Sequence, residues 1–415
     1  MTGHIVVIHR WRDSHARYPR YLDHSRNTVT YISTELALPG IPAAAAATEI
    51  VPATDDFDVV RQATARLASR FGPPTRLIAL NEGDLDTAAQ LRGYLGCPGQ
   101  DPAKLAPFRD KLTMAQRVAA AGLRTPAFAD APNRDAVLDF ANEHGWPVVV
   151  KPRRGTASRG VLYVGSAAEL TALTCLPAED RLVQTYCADP IYHIDGLWTG
   201  TMLGPWRASR YLNTCVDFTT GAVLGSIEED NPDLCRPLGE FTAAIAAALS
   251  DEPWVFHIEV FVHSTANGVP SFTFLEAGYR VGGAEIPFLW REVHGIDLMA
   301  AAVDVQMGRQ PALPADSRHR VGGWLLVPTP VPPPCRVVAV DLSDRGENGP
   351  YAQVVPPVGY QIPRVGGYEH VGARFRFQAA TSADVENSIR NTASSFRLEC
   401  VPEAVEGQSG AEARG

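Results

Sequence analysis

The chain has 415 residues, enough for two or three domains at roughly 150 residues each. Hydrophobic residues make up 45% and charged residues 20%, which fits a chain that buries a core and not a disordered one. The formal charge of −9 argues against a protein that coats nucleic acid, and no apolar run is long enough to span a bilayer.

HIVVIH (4–9) reads as a buried strand, and residues 1–10 are too short in apolar length for a signal peptide. Five arginines between Arg10 and Arg26, interleaved with Trp11, Tyr18 and Tyr21, suggest a loop or an anion-binding pocket on a chain this acidic. PGIPAAAAA (39–47) reads as a flexible connection, 57–70 as an amphipathic helix and RLIAL (76–80) as a second buried strand, followed by the acidic stretch Asn81–Asp86. Alternating strands and helices predict a parallel-sheet α/β domain over residues 1–106.

From Phe108 the pattern changes. Helices are expected at 110–122 and 135–145, each stopped by a glycine, and WPVVVKP (146–152) is a short buried strand before a glycine-bearing loop. RLVQTY (181–186) and YHIDGLWTG (192–200) continue a sheet, a helix covers 239–250, and two strands follow at 254–263 and 271–277. PTPVPPP (328–334) is stiff and extended, short strands follow it, and 402–415 reads as a disordered tail. The expected segments are therefore 1–106, 107–187, 188–327, 328–401 and the tail. Seven cysteines with no CxxC spacing fit reduced thiols in a cytoplasmic protein.

Lysine occurs only at 104, 111 and 151, so 34 of the 37 basic residues are arginine. Positions that keep lysine are enriched for sites that need a compact ammonium, with Lys104 read as a chance survivor. Lys151 ends the strand that opens KPRRGTASRG, where two glycines and two small hydroxyl residues let backbone N–H groups approach an anion. The loop is read either as a phosphate cradle or as a glycine-rich hairpin turn. It is not a Walker A loop, because no helix follows it.

The strands at 254–263 and 271–280 flank Asn267-Gly268, a strong two-residue hairpin signal. With those two residues as the turn, Glu259 faces Glu276, His257 faces Gly278 and Val255 faces Arg280, all on one side of the ribbon, with Phe261 and Phe274 one step further. Opposed carboxylates suit a hard divalent cation such as Mg²⁺; the other reading is a solvated pair with Arg280 as counter-ion.

Taken together, FRDKLTMAQRVAAAGLRTPAF, KPRRGTASRGV, RLVQTYC, FHIEVFV and EAGYRVGG resemble the ATP-grasp superfamily over about residues 75–310. The resemblance implies an ATP-grasp fold behind the N-terminal α/β domain, with 107–187 as its small part and 188–327 as its large part. It implies that Lys111, Lys151 and the loop residues Gly155, Thr156, Ser158 and Gly160 contact ATP phosphates. Gln184, Tyr186 and Cys187 would line the adenine, Glu259 and Glu276 would hold Mg²⁺ (or Mn²⁺), and Arg280 and Lys151 would act on the transferred phosphoryl group. Two positions depart from the pattern: Gly278 stands where the family often has asparagine, and Ile191 where an acid would meet the ribose. The E-x-G-x-R-x-G-G form and YHIDG are similar to the branch containing L-amino-acid ligases, placing Asp195 and His193 either near the site or in a structural role in the sheet.

The implied activity is an ADP-forming carboxylate–amine ligase that makes an amide through an acyl phosphate. The alternatives are a biotin-dependent-type carboxylase working with a separate carrier, and a non-catalytic nucleotide-binding protein. The expected partners are a small-molecule carboxylate and an amine, amino acids foremost, with no nucleic acid or membrane and a homodimer as the assembly to test.

Overall fold

The computed structural model describes residues 3–12, 15–156, 159–173, 179–263, 268–311, 320–342, 349–364 and 371–403. It divides into two compact units, one of residues 1–208, 231–282 and 296–316, the other of 209–230, 283–295 and 317–415. The protein is a mixed α/β structure.

The first unit begins with a parallel sheet in the order Ala47–Ile50, Thr28–Ser33, His4–His9, Pro74–Ala79. HIVVIH is buried at every position, as expected of a parallel strand covered on both faces. The helix Phe57–Phe71 is capped by the Asp56 carboxylate, which accepts from Val59 N, and it buries Val60, Ala63, Thr64 and Leu67 on one stripe. The strands Thr28–Ser33 and Ala47–Ile50 were not read from the sequence. Part of the stretch expected to be a flexible connection is a 3-10 turn, Glu35–Gly40. In the arginine-rich stretch Arg10 is paired with buried Asp84, and Tyr18 and Tyr21 are core residues.

A second, antiparallel sheet runs Phe128–Asp130, Arg181–Thr185, Val148–Pro152, Leu162–Val164. Helices Arg134–His144 and Ala167–Ala172 close its core with Val137, Phe140 and Leu170 against Val148, Val150 and Val183. A third sheet orders Ser271–Gly278, Trp254–His263, Ile191–Trp198, Leu203–Tyr211. Helices Lys111–Ala120 and Pro232–Leu249 contribute Met114, Val118, Leu238 and Ile245 to the same core as Phe256 and Ile258. The second of these starts well before the expected residue 239, because Asn231 caps it and Pro232 takes its first turn, where no N–H is needed.

In the second unit, Leu224–Glu228, Val321–Val327, Ala373–Ala379 and Ala352–Val354 pair in that order. The helix Ser382–Ser395 packs on them through Val385 and Ile389, and a Cβ at Gly323 would lie 2.4 Å from Val385 Cγ1. This helix corrects the expectation of short strands alone after residue 334. No helix among the described residues is long and apolar enough to cross a membrane.

Candidate active site

Lys111 opens its helix directly after Asp110, whose extended backbone ends the helix Pro102–Arg109 and whose carboxylate caps the next one through Leu112 N (3.0 Å) and Thr113 N (3.2 Å). The same carboxylate accepts from Arg153 Nη2 at 2.5 Å and Nε at 3.1 Å, while Lys111 N donates to Arg153 O at 2.9 Å. Two sequence-distant segments are thereby fastened together, one carrying Lys111 and one carrying Lys151. Lys111 Nζ donates to Gly155 O at 3.0 Å and lies 3.6 Å from Glu276 Oε2.

Lys151 is 5% exposed at the end of Val148–Pro152. Burial pushes its ammonium down to about 8; Glu276 and Glu259 pull the other way, and the Lys111 charge adds to the fall. In the loop, Gly155 and Gly160 take positive φ, and Gly160 O accepts from Arg181 Nη1 at 2.9 Å. The Thr156 hydroxyl accepts from Arg159 Nη2 at 2.9 Å, so it is turned to the loop's own arginine here. Ser158 lies outside the described residues.

The hairpin pairs Glu259 with Glu276 and His257 with Gly278. The expected register does not run the whole way, because a bulge follows Glu259 and beyond it Val260 pairs with Phe274 and Phe261 with Thr273. Phe274 therefore turns to the opposite face from Phe261, where it is 1% exposed in the core. A simple two-residue turn does not produce this register, and Asn267 itself lies outside the described residues. The carboxylates are only partly exposed, at 14% for Glu259 and 38% for Glu276, the first beside His257 and the second beside Lys111. Two oxygen donors on one face fit a hard divalent cation that keeps several waters and phosphate oxygens as its other ligands. At Gly278 a Cβ would lie 3.3 Å from Arg280 Cγ, so the arginine occupies the direction from which a third side-chain ligand would come.

Arg280 lies past the end of Ser271–Gly278, and the paired register stops before it, so the expected partnership with Val255 is not formed. Its Nε donates to Glu82 Oε2 at 2.5 Å and its Nη1 to Val281 O at 3.0 Å. Glu82 also accepts from Arg109 Nη1 at 2.5 Å, and Arg109 Nε reaches Asp86 at 2.9 Å. Burial would raise the Glu82 carboxyl, but Arg280 and Arg109 outweigh it and hold it down to about 2. Burial likewise opposes the Arg280 charge, and Glu82 more than compensates. Glu82 and Arg109 were not singled out from the sequence. The available signal was the acidic run just beyond a parallel strand, the end at which α/β sheets gather their ligands.

Glu82, Arg109, Lys111, His257, Glu276 and Arg280 line one cavity. His257 Nδ1 lies 2.9 Å from Asp195 Oδ1, and His193 Nδ1 is 2.6 Å from Asp195 Oδ2. Burial works against the His257 charge, but Asp195 outweighs it and raises the ring; Nε2 lies 3.5 Å from Glu259. Asp195 is held well below the usual carboxylate range; burial opposes this and His257 and His193 prevail.

At the other end, Gln184 is buried in the second sheet, paired with Val149 and Phe128. Tyr186 is exposed, its N–H donating to Pro147 O at 3.3 Å, and the Cys187 thiol donates to Asp189 at 3.3 Å. Ile191 begins the strand Ile191–Trp198 opposite Phe261. Lys104 forms a surface pair with Glu252.

No family model matches the chain. It is 30% identical over 131 residues to the uncharacterized protein y4rH of Sinorhizobium fredii, covering 29% of this chain and 27% of that protein. The chain thus spans about a quarter of that curated relative. It is 18% identical over 292 residues to an L-arginine-specific L-amino acid ligase of Bacillus subtilis, covering 67% of this chain and 68% of that protein. A crystal structure of an L-amino acid ligase from Bacillus licheniformis superposes with a TM-score of 0.73 at 16% identity, over 96% of this chain and 98% of that one. The chain has the ATP-grasp fold. Within that fold the helix opening at Lys111 meets the loop after the Lys151 strand at Gly155 and the glutamate-bearing hairpin at Glu276.

Proposed function

We propose that this ATP-grasp chain is an ADP-forming carboxylate–amine ligase that joins two amino acids. The observation that supports the reading is the meeting of Lys111 with Gly155 of the loop that follows Lys151 and with Glu276, the hairpin partner of Glu259, beside a cavity that Arg280 and His257 also line. Phosphoryl transfer needs positioning and charge neutralisation more than covalent chemistry from the protein, and this set supplies both. The likeness to L-amino acid ligases supports amino acids as substrates.

Lys111 and Lys151 would hold the triphosphate, and the 155–160 loop would cover it. Glu259 and Glu276 would hold Mg²⁺ (or Mn²⁺), which when bound neutralises the terminal phosphates. A carboxylate oxygen of the first amino acid attacks the γ-phosphorus, the bond to the bridging oxygen breaks, and ADP leaves. The amine of the second attacks the acyl carbon, the C–O bond to phosphate breaks, and the amine loses a proton. Arg280, held at one side by Glu82, would steady the phosphoryl oxygens. Gln184, Tyr186 and Cys187 would flank the adenine at the far end.

Incubation with Mg-ATP and a panel of amino-acid pairs, read by phosphate release and by mass spectrometry, tests the proposal. Phosphate release that requires both partners, with a condensed product one water lighter than their sum, is expected. ATP turnover driven by bicarbonate and indifferent to every amine would overturn it in favour of the carboxylase reading. No turnover with any pair would favour the non-catalytic one.

A further inference from the structure

Away from the phosphate end, three side chains of metal-ligating type come together. Cys187 and Asp189 lie in the link between Arg181–Thr185 and Ile191–Trp198, and His263 ends the strand Trp254–His263. Val262 N donates to Pro190 O at 3.0 Å, which pins this link onto the end of that strand. The Cys187 Sγ to Asp189 Oδ2 distance is 3.3 Å and the His263 Nδ1 to Asp189 Oδ2 distance 2.8 Å, and all three ligand atoms lie within 4.8 Å of one another. The residues are half-buried, so an ion can reach them from solvent.

The outer contact of the histidine is also set. His263 Nε2 is 2.7 Å from Thr273 Oγ1 across the hairpin, which orients the ring with Nδ1 toward the cluster. Metal-binding histidines divide their two nitrogens in this way, one to the ion and one to a hydrogen-bond partner. A thiolate, an imidazole and a carboxylate oxygen form a borderline-soft donor set, which selects Zn²⁺ over Mg²⁺ or Ca²⁺. Bond lengths of about 2.0–2.3 Å in a tetrahedral site place ligand atoms roughly 3.3–3.8 Å apart, so the 2.8 Å histidine–aspartate edge must open by about 0.5 Å and the cysteine–histidine edge, within 4.8 Å, must close by at most about 1.5 Å.

We propose that Cys187, Asp189 and His263 bind Zn²⁺, with water in the fourth position. The ion would fasten the link that follows Arg181–Thr185 to the end of the glutamate-bearing strand. Without an ion, burial and the adjacent carboxylate push the Cys187 thiol up to about 11; zinc displaces that proton. The site stands apart from the ligase reading, although Cys187 belongs to the proposed adenine-lining segment, because its test needs no nucleotide.

The full-length chain, loaded with zinc chloride, desalted and analysed for metal, should retain one zinc per molecule. Cys187→Ser and His263→Ala should each lose it, Asp189→Asn should hold it at least tenfold more weakly, and Cys97→Ser should keep it. Loading with cobalt(II) chloride should give a near-ultraviolet thiolate charge-transfer band and the intense visible bands of a tetrahedral ion, both absent from Cys187→Ser. Circular dichroism melts of the metal-free variants separate a lost ligand from a lost fold, and His263→Gln replaces His263→Ala if the latter unfolds. Loss of zinc from wild type on desalting, or equal zinc in wild type, Cys187→Ser and the histidine variant, would overturn the proposal. ATP binding by a folded, zinc-free His263→Ala would leave the ligase reading intact, and ATP binding lost in the Lys111 and Lys151 variants would leave the zinc result unchanged.

Discussion

Glu82 is clasped between Arg109 and Arg280, and acid should expose the consequence. Its carboxyl is held at about 2 in the folded chain, below its ordinary 4.5, so the unfolded chain binds the proton more readily. The stability contributed by the cluster is fully present above about 4.5 and is lost as pH falls through about 2. Glu82→Gln should therefore destabilise by about 3 kcal/mol at neutral pH, leaving two guanidinium groups without their shared carboxylate, and the deficit should narrow progressively below pH 4.5. Urea melts at a series of pH values check this; a deficit independent of pH would mean the glutamate's charge is not what holds the cluster. The two lysines carry a second expectation, since each would make a charge-assisted phosphate contact. Lys111→Ala and Lys151→Ala should each weaken ATP binding tenfold or more without unfolding, as measured by calorimetry. These lysines were legible because lysine is so scarce in the chain, whereas Glu82 was hidden in an acidic run that resembles solvated surface until the fold brings Arg280 to it.

The joint at Asp110 shows how secondary structure places a functional side chain. One carboxylate caps the Lys111 helix and binds Arg153 beside Lys151, so cap and ion pair can be removed separately. Asp110→Asn keeps a competent cap and should cost about 1 kcal/mol, while Asp110→Ala loses both and should cost about 2–3 kcal/mol. Both should raise KM for ATP, the alanine variant more, because Lys111 is then no longer held against the loop. In the hairpin, Glu276→Gln should leave the metal-free melting temperature nearly unchanged, since it relieves repulsion from Glu259 but gives up an ion pair with Lys111. Mg-ATP at 100 times its Kd should stabilise wild type by about 2.7 kcal/mol and this variant measurably less. Equal stabilisation of both would remove the glutamates from the metal site. The pairing of Glu259 with Glu276 was legible in outline from alternation and the turn signal. The bulge that moves Phe274 to the core was not, because a single extra residue leaves no mark in a period-two pattern. The unread strands of the first sheet include short, mixed segments such as ATEI, whose strand state is set by tertiary pairing and not by local propensity.

At the scale of the whole molecule, the sequence order of the motifs already implied the fold, because each motif sits where one element hands over to the next. What order cannot convey is which distant segments meet, and the contact between Arg280 and Glu82 spans 198 residues. That contact decides how the proposed transfer can be tested. The Arg280 guanidinium is anchored through Nε to Glu82 and through Nη1 to Val281 O, and it lines the cavity that Lys111 and Glu276 also line. Arg280→Lys keeps a positive charge but loses both the anchor and the planar fork that meets phosphoryl oxygens bidentately. If the fork acts in the transition state, kcat should fall at least 100-fold while ATP affinity changes by less than threefold. If Arg280 serves only to neutralise Glu82, then Glu82→Gln and Arg280→Lys should lower stability together and leave kcat near wild type in whatever fraction stays folded. Single-turnover rates on folded protein, with ADP and phosphate counted against AMP and pyrophosphate, separate these outcomes. ADP and phosphate in equal amounts are expected, and stoichiometric AMP would refute an acyl-phosphate route whatever the arginine does.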